Sequence, residues 1–301
     1  MKDISFNLSG KIDQQIAEIA STVKEHADSL GIQFFVVGAL ARDIILQYIY
    51  GIVIKRATRD IDLGIKVDNW EQFNQLKKSL IATGKFTPDR KPQRLYFNNV
   101  PIDILPFGPI TDERMRILWP PEQEVFMSMV GFKEAYEYSI TVMLRSAPEL
   151  KIKVPTLPGL AIMKIISWNE KYPERKRDAA DLLLIMQKYE EAGNVERLYD
   201  EEQAMLTEED FGITYACIRL LGRDISKIAD PETLDEIKTM LEGETKEQSQ
   251  YRLIIDMLGG SFNPDDNKFD EILSQVKKLK TGIEEVVNKS KYRQPKKQPE
   301  G

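Results

Sequence analysis

Aliphatic residues alternate with polar or small ones from Asp60 to Val67, and this pattern limits the fold more than any other feature of the chain. A period of two is typical of a β-strand, because successive side chains of a strand point to opposite faces of the sheet. Asp60 and Asp62 are therefore predicted to share one face, with their Cα atoms about 6.6 Å apart. Asp103 is a lone acid in a second apolar run, 100–105. If the two runs are neighbouring strands, three carboxylates meet on one face.

A strand, a tight turn and a helix are predicted upstream of this acidic strand. The apolar run 32–37 ends at Gly38, and residues 39–46 have helical composition. This order presents free backbone N–H groups and the positive end of a helix dipole, which together suit a phosphate. Arg42 falls in the first turn of the predicted helix, either as a phosphate clamp or as the partner of a carboxylate at the sheet edge.

The periodicity of the chain changes near residue 155. Before this point, short strand-like runs mix with helices; Asn98 and Asn99 predict a hairpin turn, and one or two strands are predicted within 126–143. After Pro155 and Pro158 the pattern is helical. Candidate helices lie at 159–170, 175–191, 207–228, 231–242, 247–258 and 267–288.

The fold class that follows is α+β, with a mixed-sheet core in residues 1–154 and a helical half in residues 155–289. Residues 290–301 are polar, basic and proline-bearing, and we expect them to be a disordered tail. The N-terminal segment has no apolar core of signal-peptide length, and no window is apolar enough to span a membrane. The sequence predicts a cytoplasmic protein without a membrane partner.

The composition excludes several classes of chemistry. The formal net charge is −6, which argues against wrapping of a long nucleic acid by a basic surface. The only cysteine, Cys217, excludes an intramolecular disulfide, and with the only histidine, His26, it leaves too few ligands for a Cys/His zinc site. His26 lies in a predicted amphipathic helix, where a solvated surface role is the simpler interpretation. Catalysis is therefore expected from carboxylates, lysines, arginines and a metal.

Three motifs together resemble the polymerase-beta-like nucleotidyltransferase superfamily and, more specifically, predicted nucleotidyltransferases of the AbiEii/AbiGii toxin type. The motifs are 36–43 with Gly38 and Ala39, 56–62 with Asp60 and Asp62, and 100–108 with Asp103. The resemblance continues through 157–164 and 174–182 and covers residues 30–190. The chain departs from the usual pattern at Ala39, where the superfamily has Gly or Ser.

The resemblance implies a palm-like nucleotidyltransferase domain and a set of functional residues. Asp60, Asp62 and Asp103 would bind two Mg²⁺ ions, with Mn²⁺ as the alternative metal, and would be catalytic together with Lys164. The implied nucleotide-binding residues are Gly38, Ala39, Arg42, Lys164, Asp178 and Asp181. For Asp178 and Asp181, ion pairs with Arg175 or Lys176 are an equally good explanation.

The implied reaction is transfer of a nucleoside monophosphate from a nucleoside triphosphate to an acceptor hydroxyl. RNA, tRNA or a protein would be the acceptor, and a toxin role would imply a cognate antitoxin as partner. One alternative is a small-molecule nucleotidyltransferase of the aminoglycoside-modifying type, with its acceptor pocket in the helical half. An acidic helical half would favour a cationic drug, whereas a basic groove would favour RNA. The other alternative is a binding module that keeps the fold without turnover.

Overall fold

The computed structural model of the protein describes residues 5–54, 60–120, 126–260 and 267–291. The chain forms two compact units, Met1–Glu170 and Lys171–Gly301. The first unit contains strands and helices, and the second is helical in its described part. This arrangement confirms the predicted fold class.

The strands lie in the first unit, in three sheets. Within the described residues they are β1 (Ser5–Asn7), β2 (Gln33–Val37), β3 (Ile61–Lys66), β4 (Phe86–Pro88), β5 (Arg94–Phe97), β6 (Val100–Phe107), β7 (Arg116–Leu118), β8 (Phe126–Ser128), β9 (Ile140–Ser146) and β10 (Glu149–Val154). The largest sheet has the order β2-β3-β6-β5-β4, and the others have the orders β1-β9-β10 and β7-β8. In the largest sheet β3 and β6 are parallel, and the other neighbours are antiparallel.

The predicted hairpin joins β5 to β6. Asn98 and Asn99 have φ values of 47° and 66°, in the left-handed region that asparagine tolerates better than most residues. The two-residue turn pairs Phe97 with Val100 and thereby sets the register of both strands.

The helices of the first unit surround these sheets. They are α1 (Gln14–Ser29), α2 (Gly38–Asp43), which continues as a π-helical turn (Ile44–Ile49), α3 (Trp70–Ala82), α4 (Phe132–Glu137) and α5 (Leu157–Glu170). The Asp13 side chain caps α1 by accepting from the backbone N–H of Gln15 at 2.7 Å. Asn69 caps α3 in the same way through the N–H of Gln72 at 3.0 Å, as its sequence position predicts.

Two details of the first unit differ from the sequence predictions. The segment 126–143, interpreted as strands, also contains α4, which is too short for a helical period to show. The predicted domain boundary after residue 154 separates α5 from the core, whereas α5 packs on α4 and α2 and belongs to the first unit.

An aromatic cluster covers one end of one face of the largest sheet. Phe35, Phe107, Phe132 and Tyr136 contact one another edge-on or tilted, with ring centroids 5.4–6.3 Å apart. Gly64, the register partner of Phe35, makes room for this ring, since an added Cβ would lie 2.2 Å from Phe35 Cε1. This end of the face is therefore filled by the core.

The second unit is built from helices in its described part. They are α6 (Lys176–Lys188), a π-helical turn (Glu190–Asn194), α7 (Val195–Asp200), α8 (Gln203–Glu208), α9 (Ile213–Ile228), α10 (Pro231–Thr245), α11 (Arg252–Met257) and α12 (Lys268–Lys291). The helix predicted over 207–228 is divided by a turn at Asp210 and Phe211, both at positive φ. The predicted tail lies outside the described residues except for its first two, which extend α12. In the described parts of the chain, no helix is long and apolar enough to cross a membrane.

Two glycines allow α9 and α12 to pack with their backbones in close contact. A Cβ added at Gly282 would lie 1.9 Å from the carbonyl oxygen of Arg219, and one added at Gly222 would lie 2.2 Å from that of Leu279. Arg219 and Arg223 strengthen this contact, because both guanidinium groups pair with Glu285 of α12.

We expect Gly282→Ala to lower the free energy of unfolding by about 2 kcal/mol or more, because the new methyl group has to displace backbone atoms. Gly243→Ala is the matched control, since Gly243 lies in α10 with nothing within 4 Å of the added Cβ. This control should be neutral or stabilising by up to about 1 kcal/mol, since alanine is the better helix former. Urea unfolding followed by far-UV circular dichroism measures both, and equal midpoints would contradict the inferred packing.

Candidate active site

Four register partners form a row across the largest sheet. Val37 on β2 pairs with Asp62 on β3, Asp62 pairs with Asp103 on β6, and Asp103 pairs with Arg94 on β5. Residues directly opposite one another on neighbouring strands project from the same face of the sheet. The row therefore places Asp62, Asp103 and Arg94 on one face. Asp62 lies two residues along β3 from Gly64, which packs under Phe35 of the aromatic cluster, and Asp103 lies four residues along β6 from Phe107.

The carboxylates of this row are at the open end of the face. Asp62 is half-buried, and the side chain of Asp103 is 17% exposed. Asp60 is exposed and lies immediately before β3 rather than within it. The sequence predicted that these carboxylates meet if the strands of Asp62 and Asp103 are neighbours. The parallel pairing of β3 with β6 shows that they are.

Arg94 forms a bidentate ion pair with Asp103. Arg94 Nε donates to Asp103 Oδ1 at 2.7 Å, and Nη2 donates to Oδ2 at 2.7 Å. The hydrogen bonds to Asp103 are the main reason that the pKa of Arg94 is raised, and the charge of Asp60 adds to this shift. Sequence reasoning did not single out Arg94 as a site residue. The signal was available, because a two-residue turn at Asn98 and Asn99 places residue 94 opposite residue 103.

The turn at Gly38 lies against Asp62. Gly38 has φ +69°, and an added Cβ would lie 2.1 Å from Asp62 Oδ2. Only a residue without a side chain fits this position, for both reasons. Gly38 and Ala39 are the first residues of α2, so the backbone that the sequence predicts to cradle phosphates borders a predicted metal ligand.

Arg42 is engaged inside the fold. Its guanidinium is buried and donates from Nε to Asp43 Oδ1 at 2.8 Å. Of the two roles that the sequence leaves open, this favours pairing with a carboxylate over a contact with phosphate, although Asp43 belongs to α2 and not to the sheet edge.

The other predicted site residues lie on helices of both units. Lys164 is buried on α5 of the first unit. Asp178 and Asp181 are buried on α6 of the second unit. Arg175 Nε lies 4.0 Å from Asp178 Oδ2, which is at the limit of an ion pair.

Neither the single histidine nor the single cysteine belongs to this row. His26 is on α1, and Cys217 is fully buried on α9 of the second unit. Burial raises the pKa of Cys217 to about 12, so its thiol carries almost no thiolate at neutral pH and is a poor nucleophile.

The residues present suit a hard divalent cation. Asp62 and Asp103 offer adjacent carboxylate oxygens, which are the ligands that Mg²⁺ prefers, and Asp103 already binds a positive group. The described residues contain no group of three acidic, histidine or cysteine side chains arranged to hold a metal ion. The fit to the predicted cation therefore rests on the adjacent pair Asp62 and Asp103, and Asp103 is also bound by Arg94.

We expect Gly38→Ala to destabilise the protein by about 2 kcal/mol or more, for two reasons. The new methyl group clashes with the Asp62 carboxylate, and a positive φ is unfavourable for alanine. Gly31→Ala is the matched control, because Gly31 has φ +66° but nothing within 4 Å of an added Cβ. The control should cost about 1 kcal/mol, from the backbone conformation alone. Thermal unfolding measures the difference, and an equal loss in both variants would rule out the close contact with Asp62.

A family model described as "Nucleotidyl transferase AbiEii toxin, Type IV TA system" matches residues 22–275 of the chain. No curated protein matches the chain. The match to the family model agrees with the motifs at Gly38, Asp60, Asp62 and Asp103, which lie within the matched residues.

Solved nucleotidyltransferase structures are similar to the chain at low levels. The antibiotic-resistance factor ANT(2'')-Ia, solved with adenylyl-2''-tobramycin, is 13% identical over 68% of this chain and 97% of that chain, with a TM-score of 0.34. A CCA-adding enzyme solved with ATP is 13% identical over 97% of this chain and 86% of that chain, with a TM-score of 0.32. The Thermotoga maritima CCA-adding enzyme with tRNA is 12% identical over the same shares, with a TM-score of 0.26. At such TM-scores these structures carry no argument about function.

The family model, which spans well over half of the chain, shows that the protein belongs to the AbiEii family and is a nucleotidyltransferase.

Proposed function

We propose that the protein transfers a nucleoside monophosphate from a nucleoside triphosphate to an acceptor hydroxyl at the row that contains Asp62 and Asp103. The observation that carries the proposal is the register pairing of these two carboxylates beside the turn at Gly38. The first turn of a helix next to paired carboxylates suits a triphosphate that arrives with a divalent cation.

Each residue has a separate task in this proposal. Asp60, Asp62 and Asp103 would hold Mg²⁺ or Mn²⁺. The metal, when bound, would activate the acceptor hydroxyl and neutralise the departing pyrophosphate. The backbone at Gly38 and Ala39 would bind the phosphates and orient them. Positioning and charge are then the main contributions of the protein, because neither an imidazole nor a thiol belongs to the row.

The leading acceptor in this proposal is a polyanion such as RNA. The connection between β4 and β5 carries Arg90 and Lys91, both exposed, and leads directly into Arg94 at the carboxylate row. Asp89 is the only acid between Lys77 and Arg94, so this edge of the sheet is basic although the whole chain is acidic. A basic rim beside the reacting groups attracts phosphate backbones.

A cationic small molecule is the second candidate acceptor. Acidic residues outnumber basic ones in residues 171–301, and an acidic surface would attract a polyamine-like or aminoglycoside-like substrate. We rank this candidate second because the basic residues of the β4–β5 connection lie next to Arg94 of the row.

We expect the wild-type protein to be stabilised by one nucleoside triphosphate in the presence of Mg²⁺, and Asp62→Asn to lose this effect. Binding to the native state adds about 2.7 kcal/mol of stability when the free ligand is at a hundred times its Kd. Thermal unfolding with each nucleotide, with and without Mg²⁺, measures the effect. Asp28→Asn is the control, because Asp28 is an exposed acid on α1 paired only with Lys24 among the contacts described.

The nucleotide identified in this way is then labelled on its α-phosphate. The protein is incubated with the labelled nucleotide and with either total RNA or an aminoglycoside as acceptor. Label in RNA supports the leading acceptor, and label in the small molecule supports the second. Stabilisation that is equal in wild type and Asp62→Asn would mean that the nucleotide binds elsewhere, and the proposed site would be abandoned.

We further propose that the chain is the toxin of a toxin–antitoxin pair. This role is supported by the family description and by no single residue of the structure. Expression of the wild-type protein alone should slow bacterial growth, whereas expression of Asp62→Asn should not, if transfer causes the toxicity. Growth curves at matched protein levels measure this difference. Rescue by a neighbouring gene product would identify the antitoxin, and normal growth with the wild type would contradict the toxin role.

A further inference from the structure

The ion pair between Arg94 and Asp103 has no task in the proposed reaction. Both oxygens of Asp103 accept a hydrogen bond from the same guanidinium, each at 2.7 Å. The two side chains are 21% and 17% exposed, so the pair is partly shielded from water. Such bidentate, charge-assisted pairs are stronger and more fixed in geometry than ordinary hydrogen bonds.

This pair occupies the edge of Asp103 at which both carboxylate oxygens can be bound at once. A guanidinium fork and a chelating metal ion both approach a carboxylate along its outer edge, facing both oxygens. Bidentate binding of one therefore excludes bidentate binding of the other.

The charges of the row explain why a positive group beside Asp103 is favourable. Asp62 and Asp103 are directly opposite each other, and like charges at that position repel. The guanidinium of Arg94 lies next in the same row and supplies the positive charge that reduces this repulsion. In the absence of metal, Arg94 thus takes the place of a cation.

We propose that Arg94 is a positioning residue that holds Asp103 in the metal-free protein and releases it to the divalent cation when the site is loaded. The inference rests on the proposed function, because it requires Asp103 to be a metal ligand. It predicts that Arg94 competes with the metal, so that weakening the ion pair strengthens metal binding and lowers the stability of the metal-free protein.

The test is a Mn²⁺ titration of the full-length protein, followed by the electron paramagnetic resonance signal of free Mn²⁺. The variants are Arg94→Gln, which removes the charge, and Arg94→Lys, which keeps the charge but loses the bidentate geometry. Arg90→Gln is the control for a loss of positive charge nearby, because Arg90 is exposed in the adjoining connection. Melting temperatures in EDTA and in Mn²⁺ are measured for the same set.

We expect Arg94→Gln to bind Mn²⁺ on the order of tenfold more tightly than wild type, with Arg94→Lys between the two and Arg90→Gln equal to wild type. Arg94→Gln should also melt at a lower temperature in EDTA and gain more from Mn²⁺. If Arg94→Gln fails to fold, the affinity of Arg94→Lys decides the question.

Three results would overturn the inference. An unchanged or weaker Mn²⁺ affinity in the Arg94 variants would make the pair purely structural. The second result is an equal Mn²⁺ affinity in Arg94→Lys and wild type, with tighter Mn²⁺ binding in Arg94→Gln. It would show that only the positive charge at position 94 weakens Mn²⁺ binding, and that the bidentate contact with Asp103 does not compete with the metal. In both cases the proposed function stands if Asp62→Asn loses the Mn²⁺ that wild type binds. If wild type and all variants bind no Mn²⁺, the inference and the proposed metal dependence fail together.

Discussion

The parallel pairing of β3 with β6 is the contact on which the candidate site depends. It places Asp62 directly opposite Asp103, and the strands outside this pair add the turn at Gly38 on one side and Arg94 on the other. A slip of one residue in this register would turn one of the two carboxylates to the opposite face of the sheet. The register is fixed by buried residues such as Leu63 and Ile104, which could not be exposed without a large loss of apolar burial.

One face of the largest sheet is divided between the core of the first unit and the candidate site. Phe35 lies over Gly64, and the aromatic cluster extends from there towards α4. The same face therefore changes from buried to half-buried within two residues on β3, from Gly64 to Asp62, and on β6, from Leu105 to Asp103. Repulsion between Asp62 and Asp103 is the cost of this arrangement, and the bidentate pair with Arg94 offsets it. A site of paired acids is thus compatible with a stable sheet even without a metal.

The sequence was most informative where a pattern is local. Alternation identified β3, and the two asparagines identified the hairpin of β5 and β6. The pairing of β3 with β6 joins residues about forty positions apart, and no local pattern specifies it, so the sequence could state it only as a condition. Helix α4 was missed because six residues do not make a period visible. The close packing of α9 on α12 could not be predicted from the sequence either, because Gly222 and Gly282 are adjacent only after folding.

The chemistry available to this protein follows from which charged groups the fold brings together. Cys217 is buried on α9 with a raised pKa, the single histidine is on α1, and neither belongs to the carboxylate row. Carboxylate and guanidinium groups in general keep their charge near neutral pH, unlike imidazole. A site built from Asp62, Asp103 and Arg94 therefore acts through charge and position, without an imidazole to carry a proton. This constraint connects the composition of the chain, with its one histidine, to the metal-assisted transfer of a nucleotide that we propose.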